Sequence, residues 1–304
     1  MKVAIAASAP EKFGFTTTYF DLPGLRMHAV VAGPMDGPLL LLLHGFPECW
    51  LSWRHLIGPL AQAGYRVVAP DQRGYNLTDK TPPYDLGTLT ADIVNLIQAC
   101  GQDSACVAGH DWGAAVAWAL AGASPERVTR LAILNVPHPA PIARALRGGS
   151  LRQMFKSWYI FFFQIPWFPE WVLSRSRFAV MRRMMIASSR PGTFTSEVLD
   201  YYREAWARPG ALSAMVGWYR ALMRTALQTG GAAFNRRITM PTVILWGERD
   251  VALRVELAEQ SLAWLDHGKL IRFPLATHWV HEDFPLEITQ HLLDHFGPAV
   301  QHAG

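Results

Sequence analysis

Five consecutive residues, Gly109-His110-Asp111-Trp112-Gly113, carry the most specific chemical signal in this chain. They end an apolar run that reads as a strand, Ala105 to Gly109, and open a run of helical length and period, Trp112 to Ala123. A side chain at the tip of such a strand-turn-helix elbow sits in a strained backbone conformation, and small flanking residues let strand and helix approach closely. The nucleophile position holds Asp111. A carboxylate is suited to displacement at an sp3 carbon, giving an alkyl ester, whereas serine nucleophiles attack carbonyls. The residue type therefore argues against an ordinary esterase or lipase. A competing reading is an Asp that only caps the helix starting at Trp112.

Hydrolysis of an alkyl ester needs a base and a residue to orient it, in the chain order nucleophile, acid, histidine. Asp250 follows the strand-like run Pro241 to Trp246, and His278 follows the last one, Lys269 to Phe273. His281 competes for the base, and Glu248 and Asp283 for the acid; Asn135, an amide, removes the alternative of an acid after the preceding strand. His44-Gly45-Phe46-Pro47 follows the run Leu39 to Leu43, so the backbone N–H groups of Phe46 and Trp112 are the expected oxyanion donors. His44 reads as structural, and a cis peptide before Pro47 would fix the loop.

The elements that must position these groups are legible as short apolar runs with helices between them. Besides those named, Tyr65 to Pro70 and Val128 to Leu134 read as strands, and Trp53 to Ala63 and Thr88 to Cys100 as helices, with Thr88 as the N-cap. Thr17 to Phe20 and Leu25 to Val31 form an antiparallel hairpin at one edge. Near-continuous apolar strands alternating with helices predict an α/β fold with a mostly parallel sheet flanked by helices. The alternation breaks at Asn135-Val136-Pro137-His138-Pro139 and resumes near Ile238. The chain therefore divides into a core, 1–136 and 238–304, and an inserted helical cap, 137–237, placed at the strand ends where open α/β sheets bind ligands.

With 304 residues, half of them apolar and 17% charged, extensive disorder and small disulfide-stapled scaffolds are excluded. Three cysteines, Cys49, Cys100 and Cys106, form no C-x-x-C pair; a reducing, cytoplasmic setting is expected and no metal or cofactor is indicated. The apolar stretch Val3 to Ala7 is too short for a signal-peptide core, and the run Trp158 to Phe163 is too short to span a membrane. Residues 137–237 hold 15 Lys and Arg against Glu170, Glu197, Asp200 and Glu204, a net +11, which leaves −7 for the remainder. Such a face is usually only solvated; a lipid surface or an acidic partner is the alternative, and no nucleic-acid motif accompanies it.

The chain resembles the α/β-hydrolase-fold epoxide hydrolases, in particular bacterial soluble ones of the Bacillus megaterium type. The likeness rests on His44-Gly45-Phe46-Pro47-Glu48, Asp71-Gln72-Arg73-Gly74-Tyr75-Asn76-Leu77, the elbow and the cap. It implies that two cap tyrosines, Tyr159 and Tyr219, donate to the epoxide oxygen, and that ring opening gives an ester on Asp111, hydrolysed by water that His278 activates. Trp158, Phe162, Trp218 and Trp279 are expected near a small apolar epoxide. Haloalkane dehalogenases share the Asp nucleophile but lack the two tyrosines, and Phe46 stands where they often have Asn. A non-catalytic binding protein of this fold usually lacks a triad member, and none is missing here.

Overall fold

The computed structural model describes residues 11, 13–147, 158–229 and 236–299. Eight strands, β1 (Thr16–Leu22), β2 (Leu25–Ala32), β3 (Leu39–Leu43), β4 (Arg66–Pro70), β5 (Ala105–His110), β6 (Val128–Leu134), β7 (Thr242–Gly247) and β8 (Gly268–Phe273), form one sheet. Their order is β1-β2-β4-β3-β5-β6-β7-β8. From β4 to β8 all neighbours are parallel, whereas β1 pairs antiparallel with β2, and β2 with β4. Burial explains the placing. All five leucines of β3 are buried, as a strand covered on both faces requires, while at the edges only Leu22 of β1 and no residue of β8 is buried.

The helices between strands begin and end close to their expected positions, with one correction. The cap of the helix Leu86–Ala99 is Asp85, whose Oδ1 accepts from Thr88 N–H at 3.0 Å; Thr88 lies inside the first turn. Asp85 accepts from the third residue after it, the usual capping reach, and also binds the Thr88 hydroxyl at 2.9 Å.

Between β6 and β7 lie the helices Pro139–Arg147, Trp158–Phe162, Phe168–Ser188, Ser196–Trp206 and Ala211–Thr229. The third is broken at Arg175–Phe178, where three successive residues have positive φ. These helices are seated on loops that follow the sheet strands, largely by indoles. Trp206 Nε1–H donates to the Pro47 carbonyl at 2.5 Å, Trp218 Nε1–H to the Arg73 carbonyl at 3.1 Å, and Trp50 Nε1–H to the Tyr201 hydroxyl at 2.9 Å. Tryptophan suits such a seam because it buries a large apolar body and still satisfies one polar partner.

Candidate active site

The elbow is built from sterics. Asp111 has φ +48° and ψ −120°, a conformation that a non-glycine residue adopts only when its surroundings enforce it. The enforcement comes from close packing of β5, β3 and the helix Trp112–Ala123. A Cβ on Gly113 would lie 2.0 Å from the Leu43 carbonyl oxygen, and one on Gly109 would lie 2.5 Å from the Gly113 carbonyl oxygen. The Asp111 carboxylate is thereby lifted to the end of the sheet, against the N-terminus of a helix whose first N–H groups have no intrahelical partner.

Phe46 N–H donates to Asp111 Oδ1 at 2.8 Å. Trp112, the first residue of the helix, brings its N–H to the same turn. The bond between Phe46 and Pro47 is cis. On the other side, His278 Nε2 lies 3.4 Å from Asp111 Oδ2, and His278 Nδ1 donates to Asp250 Oδ2 at 2.7 Å. Burial opposes charge on the His278 ring, but Asp250 and Asp111 outweigh it and hold its pKa well above the ordinary value. Both carboxylates are likewise held below their usual range against burial, chiefly by His278.

Asp250 is locked on all sides. Oδ1 accepts from the N–H groups of Ala252 (2.7 Å) and Leu253 (2.9 Å), and Oδ2 also accepts from Asn135 Nδ2 at 2.8 Å. Asn135, visible in the sequence only as the amide that displaces an acid, proves to be the bridge between β6 and β7: its Oδ1 accepts from Gly247 N–H at 2.9 Å. The competing residues are occupied elsewhere. Glu248 pairs with Arg272, and Asp283 accepts from Thr277 and Thr193.

His281, the competing base, is fully buried with Glu48 and His110 behind the elbow. Glu48 Oε2 accepts from Gly45 N–H at 3.2 Å and lies 2.8 Å from His110 Nδ1. His110 Nε2 faces the His278 carbonyl at 2.9 Å and can only donate to it, so the His110–Glu48 pair shares one further proton between them. Donor atoms of Glu48, His110 and His281 lie within 4.8 Å of one another, a spacing that an ion could bridge. Glu48 meets both histidines directly, His110 Nδ1 at 2.8 Å and His281 Nε2 at 3.5 Å. His44 is structural in its bonding, accepting from Gln72 N–H at 3.1 Å.

Over the carboxylate lies an aromatic group from the inserted helices. The Tyr219 ring is 5.4 Å from Phe46, 4.9 Å from Trp112 and 5.9 Å from Tyr159. Burial, then the Asp111 charge, raises the pKa of both phenols, so both stay protonated. Of the four residues expected around a substrate, Trp158 turns outward and Phe162 is half-buried between it and the site. Trp158 is 62% exposed and stacks at 5.8 Å on Phe162, which in turn faces Phe168 at 6.0 Å. Helical spacing is the reason: Trp158 and Phe162 share one face of their helix, while Tyr159 and Phe163 share another. Phe163, not singled out in the sequence, packs on Tyr219 at 4.8 Å and on Phe46 at 5.7 Å, and its i+4 spacing from Tyr159 is the signal that marks it. Trp218 is buried against Trp112 at 5.5 Å and Tyr75 at 5.2 Å, and Trp279 against His278 at 5.3 Å. Both indoles spend their N–H elsewhere, Trp279 on Ser188 Oγ.

A carboxylate elbow backed by an Asp–His pair, on a sheet of this order, defines an enzyme of the α/β-hydrolase fold, and residues 38–285 match that family. The chain is 41% identical to the AB hydrolase superfamily protein YfhM of Bacillus subtilis, over 93% of this chain and 98% of that one. It is 38% identical to human epoxide hydrolase 4, over 86% of this chain and 73% of the relative. The crystal structure of Bacillus megaterium epoxide hydrolase in complex with an inhibitor superposes with a TM-score of 0.82 at 27% identity, covering 92% and 99% of the two chains. The chain belongs to the epoxide hydrolase family of this fold.

Proposed function

We propose that the protein hydrolyses an apolar aryl or alkyl epoxide to a vicinal diol through an alkyl ester on Asp111. The observation that carries this reading is the pair of cap tyrosines, Tyr159 and Tyr219, packed ring to ring, Tyr219 also onto Trp112, beside a carboxylate elbow whose Asp111 Oδ2 lies 3.4 Å from His278 Nε2. Residues 137–237 act as the cap and supply the two phenols; 1–136 and 238–304 act as the core and supply the rest.

Phe46 engages Asp111 Oδ1, which leaves Oδ2 to attack a ring carbon. The carbon–oxygen bond breaks as a phenol donates its proton to the departing alkoxide, a poor leaving group otherwise. Water then attacks the ester carbonyl while His278 Nε2 accepts its proton and Asp250 steadies the imidazolium. The N–H groups of Phe46 and Trp112 stabilise the tetrahedral oxyanion; on collapse the imidazolium returns its proton to the leaving alkoxide, giving the diol, and the proton left on the Asp111 carboxyl restores the phenol. The rings of Phe46, Phe163, Trp112 and Tyr219 favour an apolar substituent on the epoxide.

The nearest other chemistry, displacement of halide from a haloalkane, would use Asp111 and His278 in the same way but has no need of two acids. Incubation with an aryl glycidyl ether and, separately, a bromoalkane discriminates the two. Diol without halide is expected; halide release without diol would move the assignment to a dehalogenase.

A further inference from the structure

The face of the helix Trp158–Phe162 that turns away from Asp111 is apolar and open. Trp158 and Phe161 are exposed there, and Ile165, Trp167 and Trp171 continue the same surface, with Trp167 71% exposed. Single exposed hydrophobics are ordinary, but connected ones mark contact surfaces. The three tryptophans are connected through two half-buried rings: Trp158 meets Phe162 (5.8 Å), Phe162 meets Phe168 (6.0 Å), and Phe168 meets both Trp167 (6.1 Å) and Trp171 (5.7 Å). Trp167 holds its indole outward from φ +53°, a conformation that bulky residues rarely adopt.

The rim is cationic. Glu170 is the only acid between residues 158 and 188, and it is bound by Arg220 at 2.6 and 3.0 Å. The Arg175 guanidinium lies 4.5 Å over the Trp171 ring, and Arg177 and Arg183, farther along the same helix, are exposed. At its inner end the ridge continues through Phe162 and Phe163 (5.7 Å) to Tyr219 and Phe46 beside Asp111.

We propose that this ridge docks the enzyme on the surface of an anionic lipid bilayer, from which an apolar epoxide passes along the aromatic track to Asp111. Exposed tryptophans with arginines around them match the interface between acyl chains and anionic headgroups. A second copy of the chain would bring two cationic rims together, which disfavours self-association through this face. The docking is peripheral, since no described helix is long and apolar enough to cross a membrane. Delivery of substrate rests on the epoxide reading above; docking does not.

The test is co-sedimentation with phosphatidylcholine vesicles, with and without phosphatidylglycerol. Wild-type protein is expected to bind those containing phosphatidylglycerol and to be released by salt. Trp167→Gln with Trp171→Gln should remove binding, and the triple change of Arg175, Arg177 and Arg183 to Gln should weaken it roughly 100-fold, at ~5-fold per cation. Both variants should hydrolyse a short, water-soluble aryl glycidyl ether as wild type does without vesicles, and the tryptophan variant should be slower on a long-chain epoxide dissolved in the vesicles. No diol from any protein in free solution would overturn the epoxide reading and leave docking to the sedimentation result. Wild type that ignores phosphatidylglycerol, or variants that bind as wild type does, would overturn docking. So would self-association lost in the tryptophan variant without vesicle binding. Equal rates on the vesicle-borne epoxide would overturn delivery.

Discussion

The ester proposed on Asp111 would take away one of the two charges that hold the His278 ring protonated. In the free enzyme both Asp250 and Asp111 favour the charged ring, and an imidazolium cannot accept a proton from water. The proposed ester would remove the Asp111 charge, letting the ring give up its proton to solvent and serve as the base that the second half-reaction needs. The Asp111→Asn variant mimics that neutrality: NMR titration should show a lower His278 pKa than in wild type, and an unchanged or higher value would contradict the coupling. In the proposed reaction the phenols act on the other half, the ring opening. Tyr159→Phe and Tyr219→Phe should each slow single-turnover alkylation by about 100- to 10,000-fold, the usual contribution of a general acid. Asp111, Asp250 and His278 were legible in the sequence because each stands just after an apolar strand. Asn135 and the Glu48–His110 pair were not, because their partners lie 62 to 115 residues away and only the folded sheet brings them together.

The strand-turn-helix of the elbow works only while β3, β5 and the helix Trp112–Ala123 stay in contact. Gly113→Ala would place a methyl group 2.0 Å from the Leu43 carbonyl oxygen, a backbone atom that cannot swing aside. Urea unfolding should show a loss of about 3 kcal/mol, the upper range for overpacking, or no folded protein. Native stability with full activity would show that the elbow tolerates a wider spacing. Flanking glycines announced this approach in the sequence. The short helix Trp158–Phe162 was harder to read: its aromatic run says that rings pack there, but only its rotation about the axis decides that Tyr159 and Phe163 face Tyr219 while Trp158 faces outward. A capping side chain bonds a backbone N–H several residues ahead, which is why Asp85, outside the apolar periodicity, serves the helix instead of Thr88.

At the junction between the sheet and the inserted helices, His138 is buried with its tautomer fixed. Nε2–H donates to the Arg236 carbonyl at 3.0 Å, Nδ1 accepts from Ala140 N–H at 3.2 Å, and the ring stacks on Trp264 at 5.0 Å. Burial lowers its pKa to about 4. Between about pH 6.5 and pH 4 the unfolded chain therefore binds a proton that the folded one refuses, so stability falls as pH falls through that window, by up to about 3 kcal/mol from this residue. His138→Gln should flatten the slope of unfolding free energy against pH there; an unaltered slope would show that the ring ionises freely in the fold. The break in strand-helix alternation and the change of charge made the insertion visible in the sequence, but not the indoles that seat it. What the assembled molecule does is tested most directly by a single turnover of an aryl glycidyl ether with enzyme in excess, in water enriched in heavy oxygen. Attack by Asp111 and then by water on the ester carbonyl should give an unlabelled first diol and leave the heavy atom in the Asp111 carboxylate. Heavy oxygen in the first diol, with none in the protein, would contradict it.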